Sequence, residues 1–174
     1  MYKAVEKYEE ELAKVNAGKD GLVIYGDIPK NVAELGAKLV KGKSTDIDKA
    51  RALYDFFWQN CDYEFYSGHV KSAEKTLNDL AGNCMDLANL YKSLAESVKL
   101  ACEFRHANSV QFSDGNYSHY WNAVNVSGTI IGLDVSVACD PYNKTSTSKI
   151  NQMFGFGNME HPYPHSAVMV ATTM

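Results

Sequence analysis

The stretch Gly82-Asn83-Cys84-Met85-Asp86-Leu87-Ala88-Asn89-Leu90-Tyr91-Lys92-Ser93-Leu94-Ala95-Glu96-Ser97-Val98 decides the fold. Within it Cys84, Leu87, Ala88, Tyr91, Leu94, Ala95 and Val98 recur at i, i+3, i+4 and i+7, the period of a helix with one buried face. Gly82 marks a turn before the run, which places Cys84 on the first helical turn. The positive end of the helix dipole favours a thiolate there, and the thiolate is the reactive form of cysteine. An ordinary first core residue would occupy the same position, so spacing alone leaves both readings open.

Upstream of this helix the chain reads as helical. Val5, Tyr8, Leu12 and Val15 share a face in a charged segment from Tyr2 to Asn16, and residues 1–30 read as a helical lead-in that suits a piece of a longer protein. Pro29 opens a helix carrying Val32, Leu35, Leu39 and Val40, with Gly42 as its stop. Thr45, with Asp48 three residues on, caps a third helix bearing Leu53, Tyr54, Phe57 and Trp58. An aromatic extended piece, Tyr63 to Tyr66, and a short helix between Ser72 and Gly82 complete this half. Downstream the period changes to two. Residues 101–107, 117–126 and 129–137 read as strands, with turns at 113–116 and at Ser127-Gly128, and 165–173 as a last strand. Helices followed by antiparallel strands over 174 residues describe a single α+β domain, 1–174.

A net charge of −4 and a pI near 5.7, with no long Lys/Arg cluster, argue against nucleic acid as a partner. The apolar runs are too short for a membrane span and the N-terminus is not a signal peptide, so the expectation is a soluble chain with no membrane partner. Cys61, Cys102 and Cys139 read as small buried apolar side chains; no pair has zinc-ribbon spacing.

A reactive Cys84 needs a base. Among five histidines, His119 lies on a strand with Trp121, Ala123 and Asn125 on its face. His106, also on a strand, is its competitor, while His69, His161 and His165 read as loop or surface residues. A two-residue turn at Ser127-Gly128 sets Asp134 opposite Trp121, making it a diagonal neighbour of His119 at about 7–8 Å between backbones. A carboxylate can then orient the imidazole. A register slip of one residue would send Asp134 to the other face.

The run from Gly82 to Arg105, the block His119-Tyr120-Trp121-Asn122 and Asp134 together resemble the core signature of the transglutaminase-like superfamily. The resemblance implies a papain-like core with the nucleophile at the start of a core helix, and a catalytic triad of Cys84, His119 and Asp134. The chain departs from the pattern at Val98-Lys99-Leu100, where the family has a glycine, and at Val135, where it often has proline. Tyr63 to Tyr66, Lys75-Thr76-Leu77 and Gly82-Asn83-Cys84 are also similar to transglutaminase-like domains of methanogenic archaea and their viruses. These include the pseudomurein endoisopeptidases, which cut an Ala–ε-Lys isopeptide bond in the archaeal wall.

That closer resemblance implies a thiol hydrolase with a peptide or cell-wall polymer as partner, acting as a monomer. It would stay in the host cytoplasm until lysis and then act on the wall. A transglutaminase or amidase-type acyl transferase with the same triad is the alternative, and a silent binding module is a further one. The backbone N–H of Cys84 is one oxyanion donor; Asn78, Asn83 and Tyr66 are candidates for a second. Trp121 is the candidate substrate contact, with packing beside the triad as the simpler reading. Asp86 reads as a cap-region acid or as a partner for Arg105. The chemistry needs no cofactor. Larger relatives use calcium and the resemblance admits a structural Ca ion, although no EF-hand-like cluster of acids occurs.

Overall fold

A computed structural model of the chain describes residues 28–68 and 71–171. The helix expected over 2–16, the apolar run at 22–25 and His69 lie outside the described residues. Four helices come first: α1 (Lys30–Leu39), α2 (Asp46–Asn60), α3 (Ala73–Asp79) and α4 (Cys84–Ser97). A two-stranded parallel ladder, β1 (Asp62–Tyr63) with β2 (Ala81–Gly82), brackets α3. Then follow β3 (Cys102–Phe112), β4 (Gly115–Val126), β5 (Thr129–Leu133), α5 (Val135–Cys139), α6 (Thr147–Gln152), β6 (Phe154–Gly157) and β7 (Val168–Ala171). The five long strands form one antiparallel sheet in the order β6-β5-β4-β3-β7. Helices followed by an antiparallel sheet are the α+β arrangement the sequence implies.

The helix starts follow local chemistry. Thr45 Oγ1 accepts the Asp48 N–H at 3.2 Å, and Ser72 Oγ accepts that of Lys75 at 3.1 Å. Both satisfy donors that a helix start leaves open. The end of α3 differs from expectation. Leu80, not a glycine, takes the left-handed turn at φ 52°, and the chain then pairs as β2.

One face of α4 buries Leu87, Leu90, Tyr91, Leu94 and Ala95 against Leu53, Tyr54 and Phe57 of α2 and against Cys102, Val124 and Leu133 of the sheet. Alternation along β4 sends Trp121 to the other face of the sheet, where it packs with Ala107 and Val110 under Phe156, Tyr163 and Val168.

The β4–β5 turn is the tight one expected. Ser127 at φ 55° and Gly128 at φ 92° make the primed turn that matches strand twist. Serine tolerates this strained conformation because the Asp46 carboxylate accepts from its N–H at 3.0 Å and its hydroxyl at 3.2 Å. Asn122 accordingly faces Leu133, and Val126 faces Thr129. The strand expected over 129–137 is shorter, however. It ends at Leu133, and 135–139 turn into the short helix α5. Asp134 causes the change, because its side chain accepts the Ser136 and Val137 N–H groups and caps the helix. The low-complexity piece 143–149 runs into α6, and β6 is a strand the sequence reading did not anticipate.

Candidate active site

Cys84 is held from three sides. The β1–β2 ladder sets Tyr63 beside Gly82, and the Glu64 N–H donates to Gly82 O at 2.9 Å, fixing the chain two residues before the cysteine. A side chain at Gly82 would meet the Asp86 Cβ at 2.8 Å, so this close approach requires glycine. Asn83 then starts the helix. Its Oδ1 accepts the Met85 and Asp86 N–H groups at 3.0 Å each, and its Nδ2 donates to Tyr66 O at 3.1 Å and Gly68 O at 2.6 Å. The cap consumes the N–H groups of the second and third helical residues. That of Cys84 itself has no acceptor among the hydrogen bonds of the described residues. Asn83→Ala is expected to lower stability by about 1–2 kcal/mol through loss of the cap, measured by urea denaturation.

On β4, His119 is 4% exposed, and its Nε2 lies 2.6 Å from Asp134 Oδ2. Cys84 and His119 line the same cleft, and the cysteine is close enough to act on the imidazole. Burial opposes protonation of His119, but the Asp134 carboxylate and the cysteine outweigh it and hold the imidazole pKa above its ordinary value. Burial likewise works against the Asp134 charge, and is outweighed by His119 and His161, so the carboxyl stays far below the usual range. Asn122, in the same four-residue block as His119, donates to Ala88 O of α4 at 3.0 Å. This bond ties the strand of the histidine to the helix of the cysteine.

The structure therefore brings Cys84, His119 and Asp134 together, and adds His161. The latter's Nε2 lies 2.8 Å from the same Asp134 oxygen, and the residue is 6% exposed. The sequence reads His161 as a loop or surface residue; its backbone is a loop, but its side chain is buried. Its burial comes from the fold of 158–166 over the sheet, and the flanking prolines in His161-Pro162-Tyr163-Pro164 were the available signal of an ordered loop. His106 is engaged elsewhere, with Nε2 2.7 Å from Ser118 Oγ and its ring stacked on Tyr120.

The remaining candidates are placed as follows. Asn78 is exposed on α3, where its Oδ1 accepts from Asn31 Nδ2 at 3.5 Å, and it does not line the cleft. The Asn83 side chain is spent on the cap and the 66–68 loop. The Tyr66 hydroxyl donates to Asp86 and accepts the Asn83 N–H at 3.3 Å. Asp86 is fully buried and also accepts the Lys71 N–H at 3.0 Å, while Arg105 bonds Glu103 at 3.3 Å. Tyr66 and Lys71 thus reach Asp86, while the Arg105 guanidinium is turned to Glu103. Trp121 is 1% exposed, packs tilted against His161 at 5.0 Å and stacks on His119 at 6.2 Å, beneath the site and out of substrate reach.

Cys84 opens on a cleft of about 910 Å³ whose walls carry Tyr63, Phe65, Tyr117, Tyr120, Tyr142 and Tyr163. Phe65 and Tyr142 are 73% and 89% exposed, so the rim presents bare aromatic faces. Cys84 is half-buried, whereas the other three cysteines are buried. Burial also pushes the Cys61 and Cys102 thiols up to about 12. Iodoacetamide at neutral pH should therefore add one label per folded chain, at Cys84, as read by intact-mass and peptide mass spectrometry.

His119, Asp134 and His161 offer donor atoms within 4.8 Å of one another, close enough for an ion. The hydrogen bonds speak against a metal. The Tyr163 N–H points at His161 Nδ1 at 3.1 Å, which makes that nitrogen the acceptor and places the ring proton on Nε2. A protonated Nε2 has no lone pair for an ion, so the cluster is a hydrogen-bonded chain.

A family model of the transglutaminase-like superfamily matches residues 33–134, more than half of the chain. The chain belongs to this superfamily. Its fold is also that of a candidate cysteine protease from Cytophaga hutchinsonii, at a TM-score of 0.56 and 18% identity over 80% of this chain. A candidate protease from Parabacteroides distasonis is similar over 74% of this chain at a TM-score of 0.50 and 10% identity. The chain spans 49% of the first of these structures and 29% of the second. No curated protein sequence matches it. No helix among the described residues is long and apolar enough to cross a membrane.

Proposed function

We propose that the chain is a cysteine-dependent hydrolase of amide bonds, with Cys84 as nucleophile, His119 as acid–base and Asp134 as its orienter. The observation that carries this reading is the Asp134–His119 hydrogen bond set beside Cys84 at the start of α4, with His119 and Cys84 on one aromatic cleft. Cys84 passes its proton to the imidazole nitrogen not bound to Asp134, and Sγ attacks the amide carbonyl. The unspent Cys84 N–H donates to the developing oxyanion. The imidazolium returns the proton to the leaving amine, the C–N bond breaks and a thioester remains. Water, deprotonated by His119, then hydrolyses the thioester and restores the thiol.

The substrate we propose is pseudomurein, cut at Ala–ε-Lys links of methanogen walls. The support is the similarity of Tyr63–Tyr66, Lys75–Leu77 and Gly82–Cys84 to endoisopeptidases of that kind. The test is a pair of isomeric alanyl-lysine peptides, one linked through the ε-amine and one through the α-amine. Incubation with purified pseudomurein and mass spectrometry of the released peptides extends it. Release from the ε-linked isomer alone supports the isopeptidase, and equal cleavage of both removes that specificity. A transglutaminase or amidase would instead transfer the acyl group to an added amine. A silent binding module would leave Cys84 unreactive to iodoacetamide.

A further inference from the structure

One carboxylate serves five donors. Asp134 Oδ1 accepts the Ser136 N–H at 3.0 Å, the Ser136 hydroxyl at 2.7 Å and the Val137 N–H at 3.1 Å. Oδ2 lies 2.6 Å from His119 Nε2 and 2.8 Å from His161 Nε2. The three donors on Oδ1 already fix the plane of the carboxylate, so His161 is not needed to hold it in place. What His161 takes is electron density on the one oxygen that faces His119.

His161 is built for this task. The Tyr163 N–H occupies its Nδ1, which fixes the neutral tautomer with the proton on Nε2, aimed at Asp134. Its ring packs against Trp121 at 5.0 Å, Phe156 at 5.5 Å and Tyr163 at 5.4 Å, and its own backbone N–H donates to His165 Nε2 at 3.0 Å. Its side chain is closed off from water, so no solvent molecule competes for the bond.

We infer that His161 is a positioning residue that acts through Asp134, sharing Oδ2 so that His119 is not held too tightly to surrender its proton to the leaving amine. The inference rests on the proposed roles of Cys84, His119 and Asp134. A carboxylate pulling undivided on the imidazolium would stabilise the thiolate–imidazolium pair but make His119 a poorer acid, because acid catalysis works best near the operating pH. A second neutral donor on the same oxygen weakens that pull.

Among the described residues, the ionisable groups that act on the pair are the following. Cys84 of α4 acts on His119, and His119 in turn acts on His106 of β3. Tyr54 of α2, Tyr63 of β1 and Cys139 of α5 lie within electrostatic reach of Asp134. His165 acts on His161. Burial raises the pKa of Tyr54, Tyr63 and Cys139, so these three stay neutral where His119 titrates, and none offers Asp134 a second imidazole donor.

The experiment compares wild type with His161→Phe and His161→Gln. Gln can present its amide N–H near the position of Nε2. The first readout is the pH profile of Cys84 alkylation by iodoacetate, an anion drawn to the imidazolium, so that its rate falls as His119 loses its proton. The second is kcat and KM on the ε-linked peptide. His161→Phe should move the alkaline limb up by about one pH unit, lower kcat about tenfold and leave KM within about twofold; His161→Gln should restore both. A folded Phe variant with the wild-type limb, or a Gln variant as impaired as Phe, overturns the inference in favour of plain packing. Should His161→Phe not fold, imidazole nitrogen NMR of wild type decides. A neutral His161 with the proton on Nε2 at pH 7 supports the inference, and a charged ring or the other tautomer overturns it. The alkylation profile needs no substrate, so it reports on His161 even if the peptide is not cleaved. Undiminished hydrolysis by Cys84→Ala would instead overturn the nucleophile assignment itself.

Discussion

Cys84→Ala is expected to lower hydrolysis of the ε-linked peptide by ~10⁴-fold or more, with thermal unfolding close to that of wild type. The size follows from the proposed mechanism, because without Sγ there is no acyl-enzyme and His119 has no proton to relay. Stability changes little for a local reason. Cys84 is half-buried at a helix start, outside the cluster around Leu87 and Tyr91, and its backbone conformation is set by the Asn83 cap and Gly82. Substituting Cys61, Cys102 or Cys139 should show the reverse pattern, a cost in stability with turnover kept, since all three are buried away from the cleft. Turnover by Cys84→Ala near the wild-type rate would dismiss the cysteine mechanism.

Asp134→Asn should lower kcat by ~10³–10⁴-fold, for a reason visible in the donor geometry. The Ser136 and Val137 N–H groups require an oxygen on their side. The asparagine amide N–H₂ must then face the two imidazoles, a clash of donors unless His119 moves its proton to the nitrogen beside Cys84. That tautomer cannot accept the thiol proton. The substitution also removes the ion pair, and stability should fall by on the order of 3 kcal/mol, as for other broken buried pairs.

The pH dependence of that loss has a definite sign. The folded pKa of Asp134 is depressed, so its contribution is present above the unfolded value near 3.9 and fades as pH falls below it. The folded pKa of His119 is raised, so its contribution is complete below about 6.5 and fades as pH climbs through the folded value. The stability gap between wild type and Asp134→Asn should thus be widest between about pH 4 and 6.5. Urea denaturation inside that window and on both sides of it measures the gap, and a gap as wide outside the window as inside would contradict the charge assignments.

Much of this molecule is written in local sequence. The 3.6-residue period from Cys84 to Val98, the cap at Thr45 and the turn at Ser127-Gly128 depend on neighbours a few residues away, so they are legible without the fold. The hairpin register followed from that turn, which is why Asp134 could be placed near His119 from spacing alone. Local information failed at Asp134 itself. Its side chain caps α5, which ends β5 and redirects the backbone where alternation alone predicts a continuing strand.

The candidate second oxyanion donors turn on a related point. Asn83 and Tyr66 carry suitable groups, but whether a donor is free depends on which partners the fold brings to it, here Gly68 and Asp86. The partner of His161 lay beyond sequence reasoning. His161 is 27 residues from Asp134, in the irregular piece after β6 where no period places a side chain. Local patterning therefore determined the helices and the hairpin, and the resemblance of the chain's motifs pointed to the three residues of the proposed triad. Only tertiary packing decided how the carboxylate is shared, because hydrogen bonds between distant segments are set by the closing of the core and not by the spacing of residues along the chain.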